Sequence, residues 1–321
     1  MADSVPRAMH GRLLPLLVAL RDAVWRPTAA SLRLLALLSV IVNAGIIVSG
    51  GAVRLSASGL GCPTWPKCTG DSLVPTRETG HSGLNMAIEF GNRTLTFLVL
   101  AVGVAVFVAA VRLRPQRRDL LRLAALQPLG VVAQALWGGV TVLTKLHPAT
   151  VAAHYMLSAA ILVAAYALYE RAGEADEPPR PLVGPRLRAL TYALTGVVVL
   201  LLAAGTIVTG TGPHAGDAAA PRFGFNIEDV ARLHGELAWL TVALTVALMI
   251  GLRRSDAPGP LRRRVADLLV IELAQGAIGY TQYFLGVPAL LVGMHMLGSA
   301  LVWLGALRVL FATRTRGPLP D

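Results

Sequence analysis

The sequence predicts an all-α integral membrane protein: eight transmembrane helices, arranged as two duplicated four-helix bundles, with both termini cytoplasmic. Three observations predict it. The 321 residues are 55% hydrophobic, with a mean hydropathy of +0.61. Their apolar residues fall into eight runs of about 20–25, the length that crosses a hydrocarbon core. Their basic residues collect in alternate connections between those runs.

The runs are, in order, about Ser31–Val53, Asn85–Val111, Leu120–Thr144, Thr150–Tyr169, Ala189–Gly210, Val230–Leu252, Val265–Leu285 and Ala289–Phe311. They carry almost no charge, whereas helices of a soluble core of this size would show charged faces. In lipid every backbone polar group needs an internal partner, so runs of this length are helices. With the N-terminus inside, 21 of the 29 basic residues lie in the segments 1–30, 112–122, 171–188, 253–264 and 308–321. Five lie in the outside loops: Arg54, Lys67, Arg77, Lys145 and Arg222. Arg33, Arg93 and Arg232 lie at or within spans. This is the positive-inside bias, and it orients all eight spans. The net charge of +11 is therefore topogenic and does not indicate nucleic acid. No cleavable signal peptide is visible, because the first span is too long and lacks a small-residue cleavage site. Residues Arg12–Arg26 are expected to form a basic amphipathic helix on the membrane surface, in preference to a transit peptide.

Both cysteines, Cys62 and Cys68, stand in the Pro- and Gly-rich stretch "GGAVRLSASGLGCPTWPKCTG". That loop, 54–84, is outside, in an oxidising space where a close thiol pair forms a disulfide. A staple for the loop and an exposed redox pair that passes electrons are equal readings at this point.

The chain repeats itself. Gln134 precedes His154 by 20 residues, and Gln275 precedes His295 by the same 20. Spans one and five end alike, as "IIVSGG" and "TIVTGT". The expected division is a cytoplasmic segment 1–30, an N-terminal half 31–170, a linker 171–188 containing "EADEPPRPLVGPR", a C-terminal half 189–311 and a tail 312–321. Two related bundles imply two related pockets.

Of seven histidines, His10 is in the N-terminal segment, and His81, His147 and His214 lie in or beside outside loops. His154, His234 and His295 lie within spans four, six and eight, each about 6–10 Å below the outer surface at 1.5 Å per residue. A polar ring inside a span faces the bundle and has a partner. His234 and His295 are placed to meet across one pocket, which suits ligation of haem iron from both sides. Zinc fits less well, because no Cys, Asp or further His completes a tetrahedral set. In the first half the position matching His234 is Asn92, and Glu89 stands three residues before it. A buried acid in a span is a functional candidate; an i,i+4 ion pair with Arg93 is the competing reading. Arg93 and Arg232 are further candidates, for anionic groups near the outer surface.

The ordered motifs "GGAVRLSASGLGCPTWPKC", "IEFGNR", "AAHYMLSAA", "RLHGELAW" and "GMHMLGSALVW" together resemble the haem A synthase family over nearly the whole membrane region. Members of that family oxidise a methyl group of haem O to the formyl group of haem A for cytochrome oxidase. The resemblance implies eight helices in two duplicated halves, haem B in the C-terminal half held by His234 and His295, and haem O as substrate in the N-terminal half. His154 would be an iron ligand there, with Glu89 as the catalytic residue near the porphyrin edge. Cys62 and Cys68 match the family's outside pair, linked to electron entry or to the shape of the site. The resemblance further implies a bacterial plasma-membrane location, lipid contact, and haem O synthase and cytochrome oxidase assembly factors as partners; it leaves oligomeric state open. Many members have histidine where this chain has Asn92, and some carry a second cysteine pair where Thr211–Glu228 has none. An open position opposite His154 would admit oxygen. The competing class is a non-enzymatic b-type cytochrome that carries electrons; a pure carrier needs neither Glu89 nor the cysteine loop. A transporter built from repeats is a third reading.

Overall fold

The computed structural model describes residues 25–76 and 82–318. Most of the expected amphipathic stretch Arg12–Arg26, together with His10 and His81, lies outside these residues. Eight long helices are present: α1 Ala29–Leu55, α2 Gly83–Arg112, α3 Arg118–Leu143, α4 Pro148–Ala172, α5 Pro185–Thr211, α6 Ile227–Arg253, α7 Gly259–Phe284 and α8 Ala289–Phe311. Several begin before the apolar run that marks them, because capping residues extend the first turn. Thr28 accepts from the Ser31 backbone N–H while the Ser31 hydroxyl serves the Thr28 N–H, a reciprocal cap on α1. Ser82 and Asn226 cap α2 and α6 in the same manner, by accepting a first-turn N–H. Proline opens α4 and α5, where its missing N–H costs nothing.

Seven of the eight helices are long and apolar enough to cross a membrane. The other is α7, which is 26 residues long but carries Arg262, Arg263, Arg264, Asp267, Glu272, Gln275 and Gln282. Large apolar side chains point outward all round the bundle, including Leu34, Phe97, Leu129, Leu200, Val270 and Leu290. A surface of that kind is stable against lipid rather than water. The molecule is an integral membrane helical protein.

Packing follows chain order. Helices α1 to α4 form one closed ring, since α1 also touches α4, and α5 to α8 form a second, since α5 also touches α8. The rings meet through α1 with α8, α4 with α5, and α4 with α8. One continuous core runs across that seam, from Val40 and Leu162 to Leu194, Leu248, Leu268 and Leu307. Two hydrogen bonds cross between α4 and α8: Tyr155 Oη with Ser299 Oγ at 3.0 Å, and Trp303 Nε1 to the Ala159 carbonyl at 2.9 Å.

The turns between α3 and α4 and between α7 and α8 share a backbone device. Lys145 and Leu146 adopt φ of 52° and 60°; Gly286 and Val287, at the same places in the second half, adopt 73° and 56°. Left-handed φ at Leu and Val is costly, so these turns leave little freedom in length. That fixes the 20-residue interval between each glutamine and its histidine.

At the opposite end the connection between α4 and α5 is not a plain polar linker. Arg180–Pro181 (β1) pairs antiparallel with Arg314–Thr315 (β2) in the tail. This two-residue ladder and a single antiparallel bridge between Thr69 and Ser72 in the cysteine loop are the departures from an all-α chain among the described residues. Beside it, Arg171 is buried and bonds to Asp119 and, at 2.8 Å, to Glu174. The i,i+3 spacing of Arg171 and Glu174 is readable as an ion pair, whereas Asp119 lies 52 residues away and no local pattern shows that partner.

Candidate functional site

The three span histidines lie at one level, near the end of the bundle that carries the cysteine loop. His154 is the seventh residue of α4, His234 the eighth of α6 and His295 the seventh of α8. In the C-terminal ring, the imidazoles of His234 and His295 approach with centroids 6.2 Å apart and planes at 68°. Two imidazoles on opposite sides of one metal ion, with metal–nitrogen bonds of about 2 Å, hold their centroids roughly 6 Å apart. Each Nδ1 is buried and has no hydrogen-bond partner among the described residues; the backbones of Leu201 and Gln275 lie beside the rings of His234 and His295. A proton on Nδ1 directed at a carbonyl leaves Nε2 with its lone pair free for a metal. Among the described residues no group of three or more His, Cys, Asp or Glu is placed to hold a bare metal ion. Two facing imidazoles without a third or fourth donor would suit an iron already held in a macrocycle.

The repeated glutamine acquires a physical role. Gln134 Nε2 donates to the His154 carbonyl at 3.1 Å, and Gln275 Nε2 donates to the His295 carbonyl at 2.7 Å. Gln134 Nε2 also contacts Ser158 Oγ. Each amide therefore clasps the backbone of a histidine one helix away. The equal spacing in the sequence was the visible sign of this; the contact itself was not readable from it.

In the N-terminal ring, Glu89 is buried, as the sequence suggested, but both of its oxygens are engaged. Oε1 accepts from Arg93 Nη2 at 2.7 Å and Nε at 3.1 Å, and Oε2 accepts from the Cys62 backbone N–H at 2.7 Å. Arg93 then donates to the carbonyls of Cys62 at 2.6 Å, Thr64 at 2.9 Å and Lys67 at 3.3 Å. The pair forms a latch between α2 and the cysteine loop. Cys62 and Cys68 are joined in a disulfide and are almost wholly buried. Gly61 permits the close approach: a Cβ there would lie 2.7 Å from the Asn85 carbonyl oxygen. Between the cysteines, Trp65 presses on α3, where a Cβ on Gly139 would lie 2.5 Å from its indole Cδ2. The adjacent Gly138 lies against His154, its virtual Cβ 3.4 Å from Cε1. The latched loop thus reaches, through Trp65, to within one residue of the His154 contact. The sequence offered no signal for Trp65 beyond its place between the cysteines.

Asn92 does not project freely. Its Oδ1 accepts from Ser49 Oγ of α1 at 2.7 Å. Arg232 is exposed and makes no hydrogen bond or ion pair among the described residues. His147 and His214 serve loops: His147 caps α4, and His214 Nε2 contacts the Val287 carbonyl at 2.8 Å. Arg54, at the loop end of α1, reaches across the seam to the carbonyls of Thr209, at 2.7 Å, and His214.

The family model described as COX15-CtaA, cytochrome oxidase assembly protein, matches residues 33–307. The chain belongs to this family. The match covers all eight helices apart from the outermost turns of the first and last. Among relatives of the cytochrome oxidase assembly protein family, the Heme A synthase of Symbiobacterium thermophilum is 30% identical, over 78% of this chain and 84% of that protein. The Heme A synthase of Methylobacterium sp. (strain 4-46) is 28% identical, over 90% of this chain and 94% of its own length. That of Lysinibacillus sphaericus is 31% identical, over 52% of this chain and 54% of that protein.

Proposed function

We propose that this multi-pass membrane protein is a haem A synthase, an oxidoreductase that converts a methyl group of haem O to the formyl group of haem A for cytochrome oxidase. The observation that carries the reading is the facing pair His234 and His295, 6.2 Å apart, in a chain whose relatives bear that name over most of its length. In this reading all eight helices span the bilayer, with both termini cytoplasmic, and residues 31–170 and 189–311 are the two halves. The bias of arginine toward one side supports that orientation.

In the C-terminal half, His234 and His295 hold haem B, which supplies one-electron redox chemistry when bound. The residues fit: two facing imidazoles, each with an unpartnered buried Nδ1, and no group of three or more His, Cys, Asp or Glu among the described residues. In the N-terminal half, haem O binds as substrate with His154 as the iron ligand from the protein. Asn92, tied to Ser49 and bearing an amide, does not ligate. Glu89 acts through the loop rather than on the porphyrin: with Arg93 it holds the disulfide segment, and Trp65 with it, over the outer edge of that pocket. Arg232, exposed at the mouth of the C-terminal half, suits a haem propionate. Haem O synthase, which must supply the substrate, and the machinery that loads haem A into cytochrome oxidase are the expected partners.

The test is reconstitution in a membrane that makes haem O but lacks this activity. Extracted haems should include haem A when the full chain is present. Haem O alone, with the protein folded and in the membrane, would defeat the proposal.

A further inference from the structure

Two of the span histidines rest on a glycine of the preceding helix in the same way. Gly205 of α5 faces His234 of α6, and Gly279 of α7 faces His295 of α8. A Cβ on either glycine would lie 3.1 Å from Cε1 and 3.6 Å from Nδ1 of its imidazole. The two contacts agree atom for atom, although the surrounding sequences, "AAGTIVTG" and "GAIGYTQY", are different. The backbone that acts on each ring also sits at a fixed place: Leu201 and Gln275 each lie four residues before their glycine. In an α-helix that carbonyl is the one bonded to the glycine N–H. With no Cβ above it, its second lone pair is open to a donor arriving from the neighbouring helix.

We propose that Gly205 with the Leu201 carbonyl, and Gly279 with the Gln275 carbonyl, are seats that fix the ring plane and the tautomer of His234 and His295. They are positioning residues for the haem of the C-terminal half, and the proposal rests on the assignment of the two histidines as its ligands. The Cε1–Nδ1 edge of the imidazole rests on the glycine, with Nδ1–H directed at the carbonyl and Nε2 directed into the pocket. Gln275 serves its histidine twice, its backbone on the ring and its side-chain amide on the His295 carbonyl. The first half supplies two internal comparisons. Gly45, which matches Gly205 in "GIIVSG" against "GTIVTG", faces a helix with Asn92 in place of histidine, and a Cβ there would meet nothing within 4 Å. Gly138 matches Gly279, but its virtual Cβ stands 3.4 Å from His154 Cε1 and 3.9 Å from Nε2, an ordinary contact. Close glycine contact through the Nδ1 edge thus occurs only where two histidines face each other.

The experiment uses the full chain, purified with haem B bound, as Gly205→Ala, Gly279→Ala, Gly138→Ala, Gly45→Ala and Gly276→Ala. Gly276 lies on α7, also with nothing within 4 Å. The readouts are the low-spin EPR g values and the rate of haem transfer to apomyoglobin. Gly205→Ala and Gly279→Ala should shift the g values and speed transfer about tenfold, the scale of a modest overpacking penalty. The other three should match wild type in both readouts. Wild-type g values and transfer rates in both seat variants would overturn the proposal. His234→Ala and His295→Ala in the same assay separate the two readings. If these keep the wild-type haem B spectrum, the ligand assignment itself falls. If they lose it while the seat variants match wild type, only the seats fall. Should the seat variants not accumulate, ¹⁵N-histidine NMR of the wild-type ferrous protein decides the matter. Slowly exchanging Nδ1 protons on both rings are expected, and rapid exchange of both would overturn the seats.

Discussion

Replacing Glu89 by alanine tests how the cysteine loop is tied to α2 and to the Gly138–His154 contact beneath it. The substitution removes one carboxylate that accepts three hydrogen bonds, two from Arg93 and one from the Cys62 N–H. Breaking a buried ion pair from one side costs about 3–5 kcal/mol, because the partner charge is stranded. Arg93 is less stranded than that: its side chain is 23% exposed, and it keeps the carbonyls of Cys62, Thr64 and Lys67. The local cost is then about 2–3 kcal/mol, including the unpaired Cys62 N–H. Opening of the loop should rise by roughly 30- to 150-fold. Hydrogen–deuterium exchange of peptides covering residues 60–70 reads that factor directly. Haem A formation should be lost at the same time, with haem B retained. Glu89→Gln keeps an acceptor for Cys62 and should open the loop less. Trp65→Ala keeps the latch and removes the contact on Gly139; it should lower conversion without loosening Cys62. Wild-type exchange in Glu89→Ala would refute the latch. A loosened loop with full haem A production would refute its bearing on catalysis.

Three further outcomes are expected. Alanine at either His234 or His295 should remove the low-spin haem B spectrum, read optically after purification. Asn92→His, which frees Ser49 and offers a second imidazole, should move the N-terminal haem toward six-coordinate low spin and slow turnover; unaltered EPR there would mean that position 92 does not face the iron. Tyr155→Phe removes the 3.0 Å bond to Ser299 and should lower stability by about 1 kcal/mol, seen as a reduced thermal midpoint in detergent with the haem spectra unchanged.

Much of this was legible in the sequence because membranes impose coarse rules. Apolar runs marked every helix, since a span must satisfy its own backbone. The seventh run was the weakest in hydropathy, and α7 is a helix all the same, lying between α6 and α8. The three histidines were legible by depth, which follows from counting residues along helices. What the sequence hid was contact between elements. Glu89 read as a buried acid with Arg93 as its one foreseeable partner, but its other partner, the Cys62 N–H, sits 27 residues away in a loop whose path no periodicity predicts. The i,i+4 pairing with Arg93 was readable; the three loop carbonyls on Arg93 were not. The glutamines were visible only as a repeat interval, and the glycine seats only as glycines, because close approach is a property of two helices together. The β1–β2 ladder escaped because two residues carry no pattern.

The central claim is that the chain oxidises haem O. Its most direct measurement is the extracted haem profile of membranes that produce haem O and contain either the full chain or its His154→Ala variant. Haem A should appear with the wild-type chain and be absent with the variant, while haem B remains on both purified proteins. Haem B on the purified wild-type chain, with haem O unconverted in the same membranes, would contradict the account and leave a b-type electron carrier.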